Sequence, residues 1–312
     1  MSAAGFTVIG VDVGGTKTAA GLVAFPDGVV EARRIIPTSP QRGGDAVLAD
    51  VERLVSELAV EARAAHRSIE GIGVGVCEIV NQAGDIVSAN CLHWTSAAVR
   101  QRLSSIAPVM IEADVRVAAL AEARFGAGRG ARVFLYVSIG TGIASCLVID
   151  GKPFTGARGA TGTMASGPLP GFNEADTKAS LPSLEQIASG PALVSRFQAV
   201  HGAAQCAEDV LAAAAEGNES AAKIVRSGAA ALGAGIGGLV NVLDPELVVL
   251  GGGLGLSEGL YREALVESAR RHTWWHGHQK VAIVSAATGP DAGVIGAAVI
   301  ASKAQSSSSR SP

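Results

Sequence analysis

Two short segments of this 312-residue chain pair glycine with threonine at the end of an apolar run: Asp12-Val13-Gly14-Gly15-Thr16-Lys17 and Gly140-Thr141-Gly142. Glycine lets the backbone come close to a bulky anion, and exposed N–H groups beside a threonine hydroxyl are donors suited to phosphate oxygens. Each segment leaves one apolar run (residues 6–10 or 133–137) and enters another (18–23 or 143–149), which closes on Asp27-Gly28 or Asp150-Gly151. Asp-Gly between β-branched runs predicts a tight hairpin, because both central residues of a type I′ turn take positive φ. The same strand, corner, strand and turn therefore occur twice. One copy in each of two lobes would let two corners grip a polyphosphate between them.

Other residues fit around such a grip. Asp12 stands in an otherwise apolar strand, where an ionised carboxylate is costly unless it meets a cation or donors; magnesium bridged by water would satisfy it. The segment matches neither the G-x-x-x-x-G-K-[ST] loop nor G-x-G-x-x-G, so neither of those mechanisms applies. Asp114, in Ile111-Glu112-Ala113-Asp114-Val115-Arg116, falls where a strand gives way to a helix, at the end that faces ligands in α/β sheets. Two readings stay open for it, a helix N-cap and a general base facing a hydroxyl. Gly251-Gly252-Gly253 ends a β-branched strand and offers flat backbone to a base or ribose, or is simply a strand-to-helix connection. Trp274-Trp275-His276, with His278, has no carboxylate or thiol near it in sequence, which favours surface packing or a subunit contact over a metal site.

These groups need a scaffold, and the chain alternates strand and helix signals throughout. Strands are predicted at residues 31–37, 71–76, 109–111, 247–250 and 281–285, besides the two hairpins. Residues 45–66 carry Val47, Leu48, Val51, Leu54, Val55 and Leu58 at helical spacing. Further helices are predicted after Asp114 and at 184–197, 207–215, 220–243, 257–271 and 291–303. The alternation defines an α/β protein with helices flanking mixed sheets. Residues 156–182 read as a long loop and 305–312 as a disordered polar tail. The length accommodates two domains. With 48% apolar and 17% charged residues the chain is globular, and a net charge of −3 without a basic stripe excludes nucleic acid as an expected partner. Four scattered cysteines form no C-x-x-C pair, so no disulfide framework or zinc knuckle is expected. No secretory leader and no apolar run of membrane-spanning length is visible, and the expected location is the cytoplasm, away from membranes.

In order along the chain, the motifs resemble the ROK family, within the actin-like ATPase superfamily that includes hexokinase. The resemblance runs from residue 8 to about 301. It implies an α/β fold of two actin-like (RNase H-like) ATPase lobes around a central cleft, divided as 1–115 plus 291–304 and 116–290. It also implies ATP and Mg2+ as ligands. Residues 12–17 match the first phosphate motif, with Gly14, Gly15, Thr16 and Lys17 at the phosphates and Asp12 on magnesium through water. Residues 139–142 match the second phosphate motif, 250–255 the adenosine motif and 292–298 a C-terminal Gly-Ala-Ala helix. Asp114 lands on the catalytic Asp, which takes the proton of a sugar's primary hydroxyl as it attacks the γ-phosphate. Asn90 and Trp94 land beside the sugar. Family repressors carry a helix-turn-helix domain first; only five residues precede the first strand here, so DNA repression is not expected.

The sugar side departs from that pattern. The family's Glu-Asn-Asp is Glu112-Ala113-Asp114 here, and its Gly-Glu-Ile-Gly-His is Gly162-Thr163-Met164-Ala165-Ser166. The cysteine-rich zinc motif is replaced by residues 171–183, and no zinc site is expected. Ala113, Thr163 and Ser166 would then border the substrate and tolerate an amino group or added bulk. Glu78, where the family tends to have Pro-Gly, either faces the remodelled pocket and attracts an ammonium group or points to solvent. The resemblance implies an ATP-dependent kinase acting on the primary (6-) hydroxyl of a hexose or, favoured by these departures, of an amino or otherwise modified hexose, in a chain that forms a homodimer. The alternative is a nucleotide-binding sensor or scaffold with lost or weak kinase activity.

Overall fold

A computed structural model of the protein describes residues 5–168 and 181–308. Along the chain come β1 (Phe6–Val13), β2 (Lys17–Phe25), β3 (Val29–Pro37), α1 (Gly44–Ala64), β4 (Ile69–Val76), α2 (Ser96–Leu103), β5 (Val109–Ala113) and α3 (Asp114–Phe125). Then follow β6 (Val133–Ile139), β7 (Ile143–Ile149), the two-residue β8 (Lys152–Pro153), α4 (Glu185–Ala188), α5 (Gly190–His201), α6 (Ala207–Ala215) and α7 (Glu219–Leu243). β9 (Leu247–Gly251), α8 (Leu260–Arg271), β10 (Ala282–Ser285) and α9 (Ala292–Ser308) complete the α/β chain. It divides into two compact units. The first takes in the described residues up to Gly130, Gly151–Thr161 and those from Ala287 onward; the second is Ala131–Asp150 with the described part of Gly162–Ala286.

In the first unit the strand order is β3-β2-β1-β4-β5. The first three strands are antiparallel, and β1, β4 and β5 run parallel. Alternate residues of a strand face opposite sides. Ile9, Val11 and Val13 accordingly join Val47, Leu48, Val51, Leu54, Val55 and Leu58 of α1 in one core, whereas Val8 joins Val294 and Ala298 of α9 in another. On that second face two strand positions have no side chain to spare. A Cβ on Gly10 would lie 2.0 Å from the carbonyl oxygen of Val294, and one on Gly73 1.7 Å from that of Ala297. Helix α9 therefore rests on the backbone of β1 and β4. Gly296 brings α9 equally close to α3, since its Cβ would meet the Val117 carbonyl oxygen at 1.7 Å.

The second unit repeats the plan, with strands in the order β10-β9-β6-β7. β6 and β7 are antiparallel, and β6, β9 and β10 are parallel. Leu135, Val137, Ile139, Val248 and Leu250 enter a core with Leu232, Ile236 and Val240 of α7 and Leu265 and Ala269 of α8. Gly233 and Gly237 let α7 approach the α8 backbone at Leu265 and Ala269. β10-β9-β6-β7 corresponds to β5-β4-β1-β2, so the doubled hairpin belongs to a doubled sheet.

Several expectations need correction. The boundary between the units falls after Gly130 and not at residue 115, because α3 packs on α9 rather than beginning the second unit. The helix expected at 184–197 is two, α4 and α5, parted at Ser189, whose hydroxyl accepts the Ala192 N–H at 3.3 Å. Helix α2 was not anticipated. Asp150 (φ 50°) and Gly151 (φ 70°) both adopt the left-handed region as an Asp-Gly hairpin requires, whereas in the first hairpin only Gly28 does, following a cis Phe25–Pro26 bond. The region 156–182 is turns as far as Pro168, and residues 169–180 lie outside the described part. α9 runs to Ser308, past the expected start of a tail at 305; residues 309–312 lie outside the described part.

Candidate active site

In the first unit the parallel strands β1, β4 and β5 end together, with Val13 opposite Val76 and Val76 opposite Ala113. Asp12, one residue earlier on β1, faces α9. A Cβ on Gly293 would lie 2.1 Å from its Oδ2, so the start of α9 is shaped around this carboxylate. Asp114 opens α3, and its Oδ1 accepts the Val115 N–H at 2.6 Å. It caps the helix from the first helical position, while the N-cap itself is Ala113, which makes no side-chain bond. Burial pushes Asp12 up to about 6 against the pull of Lys17. Burial, then the charge of Asp12, pushes Asp114 up to about 7; Val115 N–H and Arg116 oppose this and Glu78 adds to it. The two carboxyls thus repel across the strand ends.

The first corner lies on the same edge. Gly14 N–H donates to the Lys17 carbonyl at 3.0 Å, closing the turn. The Thr38 hydroxyl donates to the Gly14 carbonyl at 2.7 Å and pairs with the Thr18 hydroxyl at 2.9 Å; Thr38 N–H reaches Thr16 at 2.9 Å. Thr18 and Thr38 are buried. Arg116, also buried, donates to Glu112 at 2.7 Å and to the carbonyls of Val80 and Gly159, which anchors the helix start that carries Asp114.

Two expected substrate contacts have other tasks. Ala113 is 7% exposed and belongs to the core shared with Val13 and Val76, so its methyl is not an open wall. Glu78 faces neither solvent nor an empty pocket. It is 5% exposed and accepts the N–H groups of Asn90 (2.9 Å), Cys91 (2.6 Å) and Leu92 (2.8 Å) and the hydroxyl of Ser88. Burial alone would raise this carboxyl, but the hydrogen bonds from Ser88 and the three amides prevail and hold it below its ordinary value. Asn90 is exposed, and Trp94 is buried with its indole N–H on the Gly44 carbonyl at 2.7 Å.

The second unit holds the other corner. Gly140 N–H donates to the Gly142 carbonyl at 2.9 Å, and the Gly140 carbonyl accepts Gly190 N–H at 2.9 Å. Leu254 and Gly255 N–H groups converge on the Ile139 carbonyl at 3.0 and 3.1 Å. Gly252, at φ 77°, lies against the Ile139 backbone, where any Cβ would clash, and nothing stands within 4 Å of a Cβ on Gly253. Thr141 is exposed. Gly252 and Gly253 are therefore folded against the strand end at Ile139 and Gly140. Glu185, which sequence reasoning missed, accepts Ile143 N–H at 2.8 Å beside Gly142; nothing in the sequence links it to a corner 42 positions earlier. Thr163 and Ser166 are exposed on one turn, with Ser166 N–H on the Thr163 carbonyl at 3.1 Å. In the same unit Trp274 is 89% exposed and His278 bonds Asp244 at 3.0 Å.

Among the described residues no group of three or more His, Cys, Asp and Glu could hold a metal ion, and the segment replacing the zinc motif lies largely outside them. Among them, too, no helix is long and apolar enough to cross a membrane.

Two doubled actin-like units, each with a glycine corner at the end of its first hairpin strand, define an α/β protein of the hexokinase and actin class. The ROK family model matches residues 8–304, and the chain belongs to that family. A glucokinase of Streptomyces coelicolor is 30% identical over 321 aligned residues, covering 94% of this chain and 96% of the enzyme. An N-acetylmannosamine kinase of Escherichia coli is 29% identical over 309, covering 95% and 98%. The chain spans about half the length of other curated relatives, the bifunctional enzymes NanE/NanK of Brucella, at 30% identity. The crystal structure of a ROK family glucokinase from Streptomyces griseus in complex with glucose and AMPPNP superposes with a TM-score of 0.81 at 26% identity, covering 95% of this chain and 99% of that one.

Proposed function

We propose that this protein is an ATP-dependent carbohydrate kinase that transfers the γ-phosphate to the primary (6-) hydroxyl of a hexose carrying an amino or other modification. The observation that carries the reading is Asp114, a carboxylate at the strand ends, on the same edge as the Gly14-Gly15 corner and raised by burial and by Asp12. A general base raised toward neutrality suits removal of a hydroxyl proton near neutral pH. Asp114 would accept that proton while Asn90, Thr163 and Ser166 orient the acceptor. The amides and hydroxyls of residues 14–17 and 140–142 would donate to the phosphates, and the glycines at 251–253 would receive the adenosine.

Asp12 suits a cation. Its carboxyl is partly buried, acts electrostatically on the Asp114 carboxyl and is raised by burial. Magnesium, when bound through water, supplies charge neutralisation there. Support for an amino hexose comes from the kinship with an N-acetylmannosamine kinase and from Thr163 and Ser166 standing where the family resemblance led us to expect a glutamate and a histidine. Removing groups built for hydroxyls redirects choice among sugars. We place the activity in the cytoplasm, where ATP is at hand, and the chain in a homodimer. The same departures favour the second reading, a nucleotide sensor with weak kinase activity.

ADP release measured over a panel of hexoses, hexosamines and N-acylhexosamines tests both. Turnover of an amino or acylamino hexose above glucose supports the first reading. Tight ATP binding with no turnover of any sugar would establish the second.

A further inference from the structure

The loop of residues 88–92 hangs on one side chain. The Oε1 of Glu78 takes the amides of Cys91 and Leu92, and its Oε2 takes the amide of Asn90 and the Ser88 hydroxyl. Ser88 Oγ in turn accepts Ile79 N–H at 2.8 Å. Three successive amides turned on one point form the kind of concavity that binds a free anion; here the chain supplies its own. A buried carboxylate is tolerated only when its lone pairs are met, and this one has four donors.

The loop so held is not a remote one. The Cys91 sulfur lies 3.7 Å from where a Cβ on Gly15 would stand, against the first corner. The neighbouring Cys77 thiol is within hydrogen-bond reach of Cys91 and feels the charge of Asp114. The loop's far end is tied down separately, by the Trp94 indole on Gly44. Asn90 stands within the segment that Glu78 holds, with its amide bound and its side chain exposed. Where a loop hangs from one charged residue, losing that residue frees the loop while the sheet beneath it persists.

We propose that Glu78 is a positioning residue for the acceptor substrate: its carboxylate, wrapped by residues 88–92, fixes Asn90 relative to Asp114 and so sets affinity for the sugar without touching it. This rests on the kinase reading above, which assigns Asn90 to the sugar.

The test uses the full chain and three variants: Glu78→Gln, which keeps the shape but turns an N–H₂ toward a donor; Glu78→Ala; and Ser88→Ala, which removes one of the four donors to the carboxylate together with the acceptor of Ile79 N–H. Amide hydrogen exchange at Asn90, Cys91 and Leu92 should quicken about tenfold or more in Glu78→Gln, with the β4 amides unchanged, since each lost bond to a charged acceptor is a large share of local protection. KM for the sugar should rise roughly 10- to 100-fold while KM for ATP stays within about threefold, the signature of lost acceptor orientation. Ser88→Ala should fall between Glu78→Gln and the parent. A generally damaged fold would move both KM values together and expose β4. Should Glu78→Ala fail to fold, the other two variants carry the test.

Unchanged exchange in Glu78→Gln would overturn the latch, and faster exchange with an unchanged sugar KM would overturn its role. If the parent protein turns over no sugar, the kinase reading fails on its own. Calorimetric binding of the panel sugars then decides this proposal: weaker binding in Glu78→Gln upholds it, while equal binding, or no sugar bound by the parent, overturns it.

Discussion

Asp12 and Asp114 are held by the fold in a state that is costly for the empty protein. Each carboxyl is raised in the folded chain, to about 6 and about 7, and returns to the ordinary carboxylate range on unfolding. Between those limits the folded state binds protons that the unfolded state has released, so stability falls as pH rises through about 4 to 7. Asp114→Asn, which cannot ionise, should therefore stabilise the ligand-free protein by roughly 1–3 kcal/mol more at about pH 8 than at about pH 5. Denaturant melts at the two pH values check this; a variant less stable than the parent at pH 8 would show that the carboxylate is a net support. The same substitution should lower kcat by about 10²–10⁴-fold with KM for ATP nearly unchanged. In the parent, kcat/KM should fall about tenfold per unit of pH below the Asp114 value, because the base is then protonated. Thr38 makes a complementary case. Thr38→Val leaves the Gly14 carbonyl without its buried donor, at a cost of about 1–3 kcal/mol, and should raise KM for ATP while sparing KM for the sugar; the opposite pattern would remove Thr38 from the phosphate corner.

Among the elements, the glycines divide into those the fold needs and those it merely allows. Gly73→Ala would drive a methyl into the Ala297 backbone, which no rotamer change relieves, and should cost at least about 3 kcal/mol of stability. Gly253 has open space at its Cβ and no positive φ, so Gly253→Ala should melt like the parent. If that glycine lies against the adenosine, KM for ATP should nonetheless rise about tenfold; a variant with parental kinetics would free residue 253 of that duty. This contrast also marks what could be read in the sequence. Both hairpins, the α1 stripe and the strand-to-helix step at Asp114 were legible because each is a local pattern. The spacing of Gly71, Gly73 and Gly75 in β4 is a period of two that marks the face on which α9 and the start of α3 rest. Helix α2 escaped because it buries only Ser96, Val99 and Leu103. Glu122 and Glu185 escaped for another reason: each is a helix carboxylate whose donors stand 5 to 166 positions away, a relation no local pattern records; Glu78 stood out as a departure from the family, but the donors 10 to 14 positions on that hold it did not.

For the molecule as a whole, the chain passes between its units after Gly130, Asp150, Thr161 and Ala286, and two of those passages are secured within the first unit by one residue. Glu122, wholly buried, accepts the amides of Ala127 at 2.7 Å, Ala287 at 3.0 Å and Thr288 at 2.8 Å, as well as the Thr288 hydroxyl. The departing and returning strands of the chain are thus fastened to α3, the helix that begins with Asp114. Each unit otherwise has its own sheet and core, so heating the ligand-free protein should unfold them as separable transitions. The proposed function assigns nucleotide contacts to residues 14–17 of the first unit and to residues 140–142 and 251–253 of the second, and linkage then requires a nucleotide to stabilise both units. At 100 times its dissociation constant a non-hydrolysable ATP analogue with magnesium should add about 2.7 kcal/mol in all. It should move both calorimetric transitions upward, and Gly252→Val in the second unit should abolish the shift of the first. A nucleotide that raised only one transition, leaving its partner where it was, would mean that a single corner binds phosphate and that the doubled sheet serves some other end.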